Sequence, residues 1–136
     1  MNYEQSINYI HSIPKFRRPL GNANLEKLLN HLGNPQKKLK FIHIAGTNGK
    51  GSTAAMTAEI LKKSGFKTGL FTSPYLEVFN ERIRINGENI TDNDLAEYVT
   101  RVKTIMEENN ALVSEFAFIT AVSFLYFYEK QCDCCS

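Results

Sequence analysis

A glycine-rich stretch with one lysine, residues 41–53, has the residue types of a phosphate-binding loop. The apolar run Phe41–Ala45 predicts a buried strand, and Ser52 and Thr53 supply hydroxyls where a helix would begin. Glycines allow successive backbone N–H groups to turn toward an anion, and a helix N-terminus adds the positive end of its dipole. We therefore expect Lys50 to reach the outer phosphates of ATP, and a hydroxyl of Ser52 or Thr53 to bind the accompanying Mg²⁺.

The loop departs from the usual pattern G-x-x-x-x-G-K-[ST] at two positions. Ile44 stands where the first glycine is expected, and Gly51 separates the lysine from the hydroxyl. An ordinary glycine-rich turn between a strand and a helix is the structural alternative. By itself the loop predicts a site for nucleotide phosphates and does not identify a reaction.

The loop Gly46–Ser52 resembles the ATP loop of the Mur-ligase superfamily, whose members join an amino acid to a carboxylate. Farther along, Phe71–Leu76, Phe79–Ile83 and Ile85–Gly87 are similar to segments of folylpolyglutamate synthase and dihydrofolate synthase. The resemblance runs from about residue 2 to residue 133, so it covers nearly the whole chain. The chain is identified as the N-terminal part of the ATP-binding domain of a member of this family.

The resemblance implies a set of nucleotide and metal ligands. Lys50 and Arg82 become the catalytic residues, which would stabilise charge during phosphoryl transfer. Ser52 and Ser73 become ligands of Mg²⁺, and Ser73 has a simple strand-ending turn as its alternative. A surface ion pair with a neighbouring glutamate is the alternative for Arg82. The residues expected to bind the nucleotide are Thr47, Asn48, Gly49, Lys50, Gly51 and Ser52.

The resemblance also implies a pterin pocket. Leu20, Ser114 and Phe116 correspond to positions that line this pocket in relatives that bind dihydropteroate. Phe116 would stack on the pterin ring, and its alternative is an ordinary core position. The chain has Ala117 where the family commonly has a glutamate, which changes the polar part of pterin recognition.

The implied reaction is an ATP-dependent ligation. A carboxylate of a folate or dihydropteroate attacks the γ-phosphate of ATP, and the amine of L-glutamate then displaces phosphate from the acyl phosphate. The family's remaining central domain and glutamate-ligase domain are not expected within residues 1–136. We therefore expect no turnover from these residues alone, and we expect a full-length relative to be a monomer. The alternatives are another Mur-type amide ligase or a nucleotide-binding remnant without catalysis.

Composition agrees with one soluble domain. The 136 residues are 43% hydrophobic and 22% charged, and the net charge is +2. This small charge argues against a nucleic-acid partner, and no apolar run approaches the ~20 residues of a membrane span. The N-terminus also lacks the pattern of a signal peptide, so we expect a cytoplasmic protein.

Strand patterns and helix patterns alternate along the chain, which predicts an α/β fold of the P-loop NTPase-like kind. We expect an incomplete domain with a mostly parallel sheet flanked by helices. A threonine-led capping box at Thr91 predicts the start of one helix, and Gly33 and Gly65 predict the ends of two others. The predicted strands are residues 40–45, 67–72 and 82–85, and the predicted helices are residues 1–12, 25–32, 52–64, 92–109 and 114–130.

All three cysteines lie in the last five residues, at positions 132, 134 and 135. Three ligands so close in sequence do not readily surround one Zn²⁺, and a disulfide framework would spread its cysteines along the chain. We therefore expect a reduced, unstructured tail. In the family an aspartate matched by Asp133 leads into an apolar strand that carries a glutamate, and we expect that strand to be missing here.

Overall fold

The computed structural model describes residues 1–15, 23–40, 50–72 and 77–135, with side chains for all of these except residues 50–55. Its α-helices are α1 (Tyr3–Ser12), α2 (Ala23–His31), α3 (Lys50–Lys63), α4 (Asp92–Glu108) and α5 (Glu115–Glu129). Its strands are β1 (Thr68–Phe71), β2 (Ile83–Ile85), β3 (Glu88–Asn89) and β4 (Cys134–Cys135), and 3-10 helices span Pro35–Lys38 and Phe79–Arg82. Two compact units comprise residues 1–36 with 92–126, and residues 37–91 with 127–136.

The first unit is helical, and α4 forms much of its core. Apolar side chains recur on α4 at helical spacing and are fully buried at Leu95, Val99, Val102 and Met106. Helix α1 packs against α4. It begins with a reciprocal capping box, in which Asn2 Oδ1 accepts from the Gln5 amide at 2.8 Å and Gln5 Oε1 accepts from the Asn2 amide at 2.9 Å. These two bonds satisfy N–H groups that the first turn of a helix leaves without partners.

The second unit contains a four-stranded mixed sheet in the order β3-β2-β1-β4. Strand β1 pairs antiparallel with β2 and parallel with β4, and β2 pairs antiparallel with β3. Asn86 and Gly87 make the β2–β3 turn with φ values of 51° and 82°, a conformation that favours Asn-Gly. The α/β class is confirmed. Among the described strands one pairing is parallel, and residues 41–45 of the expected first strand lie outside the described residues.

The expectation of an unstructured cysteine tail is wrong. Cys134 and Cys135 form β4, with Thr68 opposite Cys134 and Gly69 opposite Cys135. The Cys135 amide also donates to the Lys40 carbonyl at 2.8 Å, so β4 lies between Lys40 and β1. A strand therefore follows Asp133 in this chain, where we expected none. A strand of two residues is too short to show an alternation of apolar and polar side chains, so the sequence contains no signal for it.

Glycine residues follow two of the helices, as the sequence predicts. Gly33 and Gly65 adopt φ values of 89° and 93°, each two residues past the last residue of α2 and α3, in the left-handed conformation that glycine adopts without a steric penalty. Helix α5 is mostly buried, as its apolar composition predicts. In the described part of the chain, every helix is too short or too polar to cross a membrane.

Candidate functional site

The candidate nucleotide site begins at the N-terminus of α3. This helix starts at Lys50, the lysine of the glycine-rich loop, and packs against β1. The loop residues Thr47, Asn48 and Gly49 lie outside the described residues, as do the side chains of Lys50 and Ser52. The backbone of α3 thus begins at the position where the sequence places a phosphate, and the first N–H groups of this 14-residue helix have no partner within the helix itself.

Arg82 is fixed at the carboxyl end of β1, in the same unit as α3. Its Nε donates to the Thr72 carbonyl at 3.2 Å, and the Thr72 amide donates to the Arg82 carbonyl at 2.9 Å. Thr72 directly precedes Ser73, the expected metal ligand, which lies outside the described residues. In open α/β sheets, ligands bind beyond the carboxyl ends of the strands. The structure therefore brings Arg82 to the end of β1 at which this rule places a ligand.

The guanidinium of Arg82 lies close to two aromatic rings. It lies 5.7 Å from the centroid of the Phe71 ring and 5.3 Å from that of the Phe79 ring. These distances lie within the range of cation–π attraction. Arg82 is 7% exposed, so the alternative of a surface ion pair is wrong. A buried guanidinium with fixed neighbours is a preorganised positive charge, the kind of group that stabilises transferring phosphate.

Two neighbours of Arg82 have defined roles that the sequence interpretation missed. Asn80 is 5% exposed, and its Nδ2 donates to the Ile90 carbonyl at 2.7 Å. Glu81 Oε2 accepts from the amides of Glu77 and Val78, each at 3.1 Å. A useful signal was present, because a glutamate three residues after a helix-start position can bond back to the amide of that position.

Two of the three expected pterin residues, Ser114 and Phe116, lie in the first unit. Phe116 lies in the first turn of α5 and is 59% exposed, so the alternative of a core position is wrong. Ser114 precedes α5, and its Oγ accepts from the Ala117 amide at 3.4 Å. The Glu115 amide donates to the Pro14 carbonyl at 3.0 Å, which ties the start of α5 to the chain after α1. Leu20 lies outside the described residues. An exposed aromatic on a fixed helix end suits a flat ring as ligand.

The cysteines of the second unit are buried thiols. Cys132 and Cys134 are each 8% exposed and Cys135 is 1% exposed. Desolvation raises the pKa of Cys132 from 9.0 to about 11, and it raises the pKa of Cys135 from 9.0 to about 12. Thiols with raised pKa values are poor nucleophiles at neutral pH. Within the described stretches, no group of three or more His, Cys, Asp or Glu side chains is arranged to hold a metal ion.

The donor chemistry expected at the nucleotide site suits Mg²⁺. Ser52 lies in the first turn of α3, and Ser73 is the next residue in the sequence after Thr72, so both positions fall within the second unit. Hydroxyl oxygens are hard ligands of the type that Mg²⁺ accepts when phosphate oxygens and water complete its shell. The residues present therefore fit a magnesium–nucleotide complex by donor type.

Comparison with known proteins gives consistent matches over almost the whole chain. It is 42% identical over 138 residues to the folylpolyglutamate synthase of Lacticaseibacillus casei, covering 98% of this chain and 32% of the relative. It is 40% identical over 131 residues to the dihydrofolate synthase/folylpolyglutamate synthase of Bacillus subtilis, covering 93% and 30%. A solved complex of folylpolyglutamate synthase (FPGS) with AMPPCP and folate matches with a TM-score of 0.92 and 41% identity. The match covers 99% of this chain and 34% of the chain in the complex. No family model matches the chain. The chain thus spans about a third of the length of these relatives.

Proposed function

Because the chain belongs to the folylpolyglutamate synthase family, we propose that it binds the Mg²⁺ complex of ATP for an ATP-dependent ligation. In this reaction L-glutamate is joined to a carboxylate of a folate or dihydropteroate through an acyl phosphate. The observation that carries the proposal is the buried Arg82, whose Nε is bonded to the carbonyl at the end of β1. The FPGS–AMPPCP–folate complex supports it, since AMPPCP is an analogue of ATP.

The chemistry asked of these residues is mainly electrostatic. The attacking carboxylate and the γ-phosphate are both anionic, so the site must offset their repulsion and hold them in line. Lys50 and the amides at the N-terminus of α3 would bind the phosphates, and Arg82 would stabilise charge on the group being transferred. Ser52 and Ser73 would hold Mg²⁺, which neutralises charge on the phosphate oxygens when it is bound.

For residues 1–136 tested alone, we expect nucleotide binding without ligation, because the relatives that carry out ligation are about three times as long. Calorimetric titration with Mg·ATP tests the proposal. The wild-type chain should show saturable binding, and Lys50→Ala should weaken it by at least about tenfold, because one charge-assisted contact contributes roughly 1.5–3 kcal/mol.

The matched control is Lys63→Ala at the other end of the same helix. Lys63 is exposed and pairs with Glu59 at 3.7 Å, so its loss removes an equal charge far from the expected phosphate. Equal affinities for all three proteins would contradict a phosphate site at Lys50. A folded wild-type chain that does not bind Mg·ATP at all would overturn the proposed function.

The folate side of the proposal rests on Phe116, Ser114 and Leu20 as the lining of a pterin pocket. Phe116 is 59% exposed, so it presents apolar aromatic surface that a pterin ring would cover by stacking. Phe116→Ala should weaken the binding of dihydropteroate or folate by roughly five- to tenfold, the size expected for loss of one stacked ring. Phe66→Ala, which removes an aromatic ring that is 47% exposed in the other unit, is the control and should leave this affinity unchanged.

A further inference from the structure

The segment Phe79–Arg82 is braced in three different directions by consecutive side chains. It forms a 3-10 helix, in which three residues make one turn and residues i and i+3 lie above one another. Phe79 and Arg82 therefore share a side, and the Phe79 ring lies 5.3 Å from the guanidinium. Asn80 and Glu81 point to the other two sides, and each bonds to a different part of the backbone.

Glu81 is hydrogen-bonded both to Thr72 and to the residues Glu77 and Val78, which precede the 3-10 helix. Its carboxylate oxygen Oε2 accepts the amides of Glu77 and Val78, both at 3.1 Å. Its backbone carbonyl accepts the Thr72 hydroxyl at 3.5 Å, and Thr72 is also the residue to which Arg82 is bonded. One residue thus joins the end of β1 to the beginning of the 3-10 helix. Hydrogen bonds to an ionised acceptor are roughly twice as strong as neutral ones.

We propose that Glu81 is a positioning residue for Arg82, whose guanidinium it holds at the γ-phosphate side of the nucleotide. This inference rests on the proposed function, because it assumes that Arg82 faces the phosphates of ATP. The mechanism is indirect. The Glu81 carboxylate fixes the first turn of the 3-10 helix, and the helix fixes the backbone from which Arg82 extends toward the Thr72 carbonyl.

The test compares affinities for Mg·ATP and Mg·ADP, because only ATP carries the γ-phosphate. Glu81→Ala should weaken ATP binding by about tenfold and ADP binding by less than about twofold, within the range of coupling between neighbouring residues. Glu81→Gln should give values between those of the wild type and Glu81→Ala, since its amide oxygen can accept the same two N–H groups but in weaker, uncharged bonds. Glu88→Ala, which removes an exposed carboxylate in β3, is the matched control.

A double-mutant cycle separates positioning from a general loss of stability. In an Arg82→Ala background, Glu81→Ala should produce no further loss of ATP affinity, because the group it positions is gone. An equal loss for ATP and ADP, or the same loss in both backgrounds, would overturn the inference. Should Glu81→Ala not fold, the same comparison of ATP and ADP affinities is made with Glu81→Asp. This variant keeps the charge and shortens the side chain by one methylene.

Failure of this inference can be told apart from failure of the proposed function. A wild-type chain that binds ATP more tightly than ADP, together with a Glu81→Ala chain that keeps the same preference, would remove the role of Glu81 alone. A wild-type chain that binds neither nucleotide would remove the nucleotide site, and the role of Glu81 with it.

Discussion

The segments Phe79–Arg82 and Cys132–Cys135 belong to the same unit and are held in place by opposite means. In the first, polar side chains bond to backbone groups, as Arg82 does to the Thr72 carbonyl. In the second, the backbone makes most of the bonds, as between Cys135 and Lys40, and the three thiol side chains are buried, while the Asp133 carboxylate accepts the Lys67 amide at 2.8 Å. The comparison teaches that the direction of hydrogen bonds determines the conformation of the first segment. In the second segment, side-chain volume and the desolvation of the thiols matter more. A segment fixed by directed bonds can place a charge, and a segment fixed by burial can complete a sheet.

The largest effect that we expect comes from added volume beside β4. Gly69 pairs with Cys135, and a Cβ atom at Gly69 would lie 2.7 Å from Cδ1 of the Phe127 ring. Phe127 is 1% exposed, so its ring has little room to move. Gly69→Ala should lower the free energy of unfolding by about 3 kcal/mol, at the upper end of the usual cost of overpacking. Denaturant unfolding followed by circular dichroism measures it.

A compensating variant sharpens this prediction. Phe127→Ala removes all three ring atoms that the new methyl group would meet, so Gly69→Ala should cost less in that background than in the wild type. If the two substitutions were simply additive, the close approach of Gly69 and Phe127 would not be what limits volume at β4.

The second effect is a loss of stability at alkaline pH that originates in Cys132–Cys135, which we call the thiol segment. The pKa of Cys132 rises from 9.0 to about 11 on folding, and that of Cys135 rises from 9.0 to about 12. Between pH 9 and pH 11 the unfolded chain loses these protons and the folded chain keeps them, so the free energy of unfolding falls as pH rises. Between pH 9 and pH 10 the two thiols together should remove about 2 kcal/mol.

The control for this prediction is a chain with Cys132→Ala and Cys135→Ala. Lysines and tyrosines also titrate near this pH, and the variant keeps all of them, so the difference between the two pH profiles belongs to the thiols. Parallel profiles from pH 8 to pH 11 would mean that the thiols ionise as readily in the folded chain as in the unfolded one.

The two segments also differ in how far the sequence predicts them. Helices such as α4 follow from apolar spacing, a local signal that the buried positions of α4 confirm. Strand β4 has no such signal, because its burial depends on β1, more than 60 residues away in the sequence. Arg82 was identified as a functional residue from the family motif. Its burial was missed, since a charged residue is usually exposed and Phe71 is distant in sequence.

The third effect tests the directed bonds of the Phe79–Arg82 segment. Asn80 is buried, and its Nδ2 donates to the Ile90 carbonyl at 2.7 Å. Asn80→Ala should lower the free energy of unfolding by about 1–2 kcal/mol, because a buried carbonyl loses its side-chain donor. Asn89→Ala in β3 is the matched control, since Asn89 is exposed and should cost less than about 0.5 kcal/mol. Equal small effects for both would mean that this segment is held by packing, like the thiol segment.

The smallest effect concerns the turn that leads from α5 into the thiol segment. Gln131 adopts a φ of 60°, in the left-handed region, and follows the helix as Gly33 and Gly65 follow theirs. The amides of Gln131 and Cys132 donate to the carbonyls of Tyr128 and Phe127, each at 3.0 Å, which completes the usual helix-ending motif.

Glycine at this position should raise the free energy of unfolding. A non-glycine residue in this conformation costs about 1–2 kcal/mol, and glycine's extra freedom in the unfolded chain offsets up to about 1 kcal/mol of the relief. Gln131→Gly should therefore stabilise the chain by about 0.5–1 kcal/mol, whereas Gln131→Ala should give no gain. Thermal unfolding of the three proteins would measure the difference. A gain from both variants would trace the cost to the glutamine side chain. A gain from glycine alone would show that backbone conformation limits how well the buried thiol segment completes the sheet.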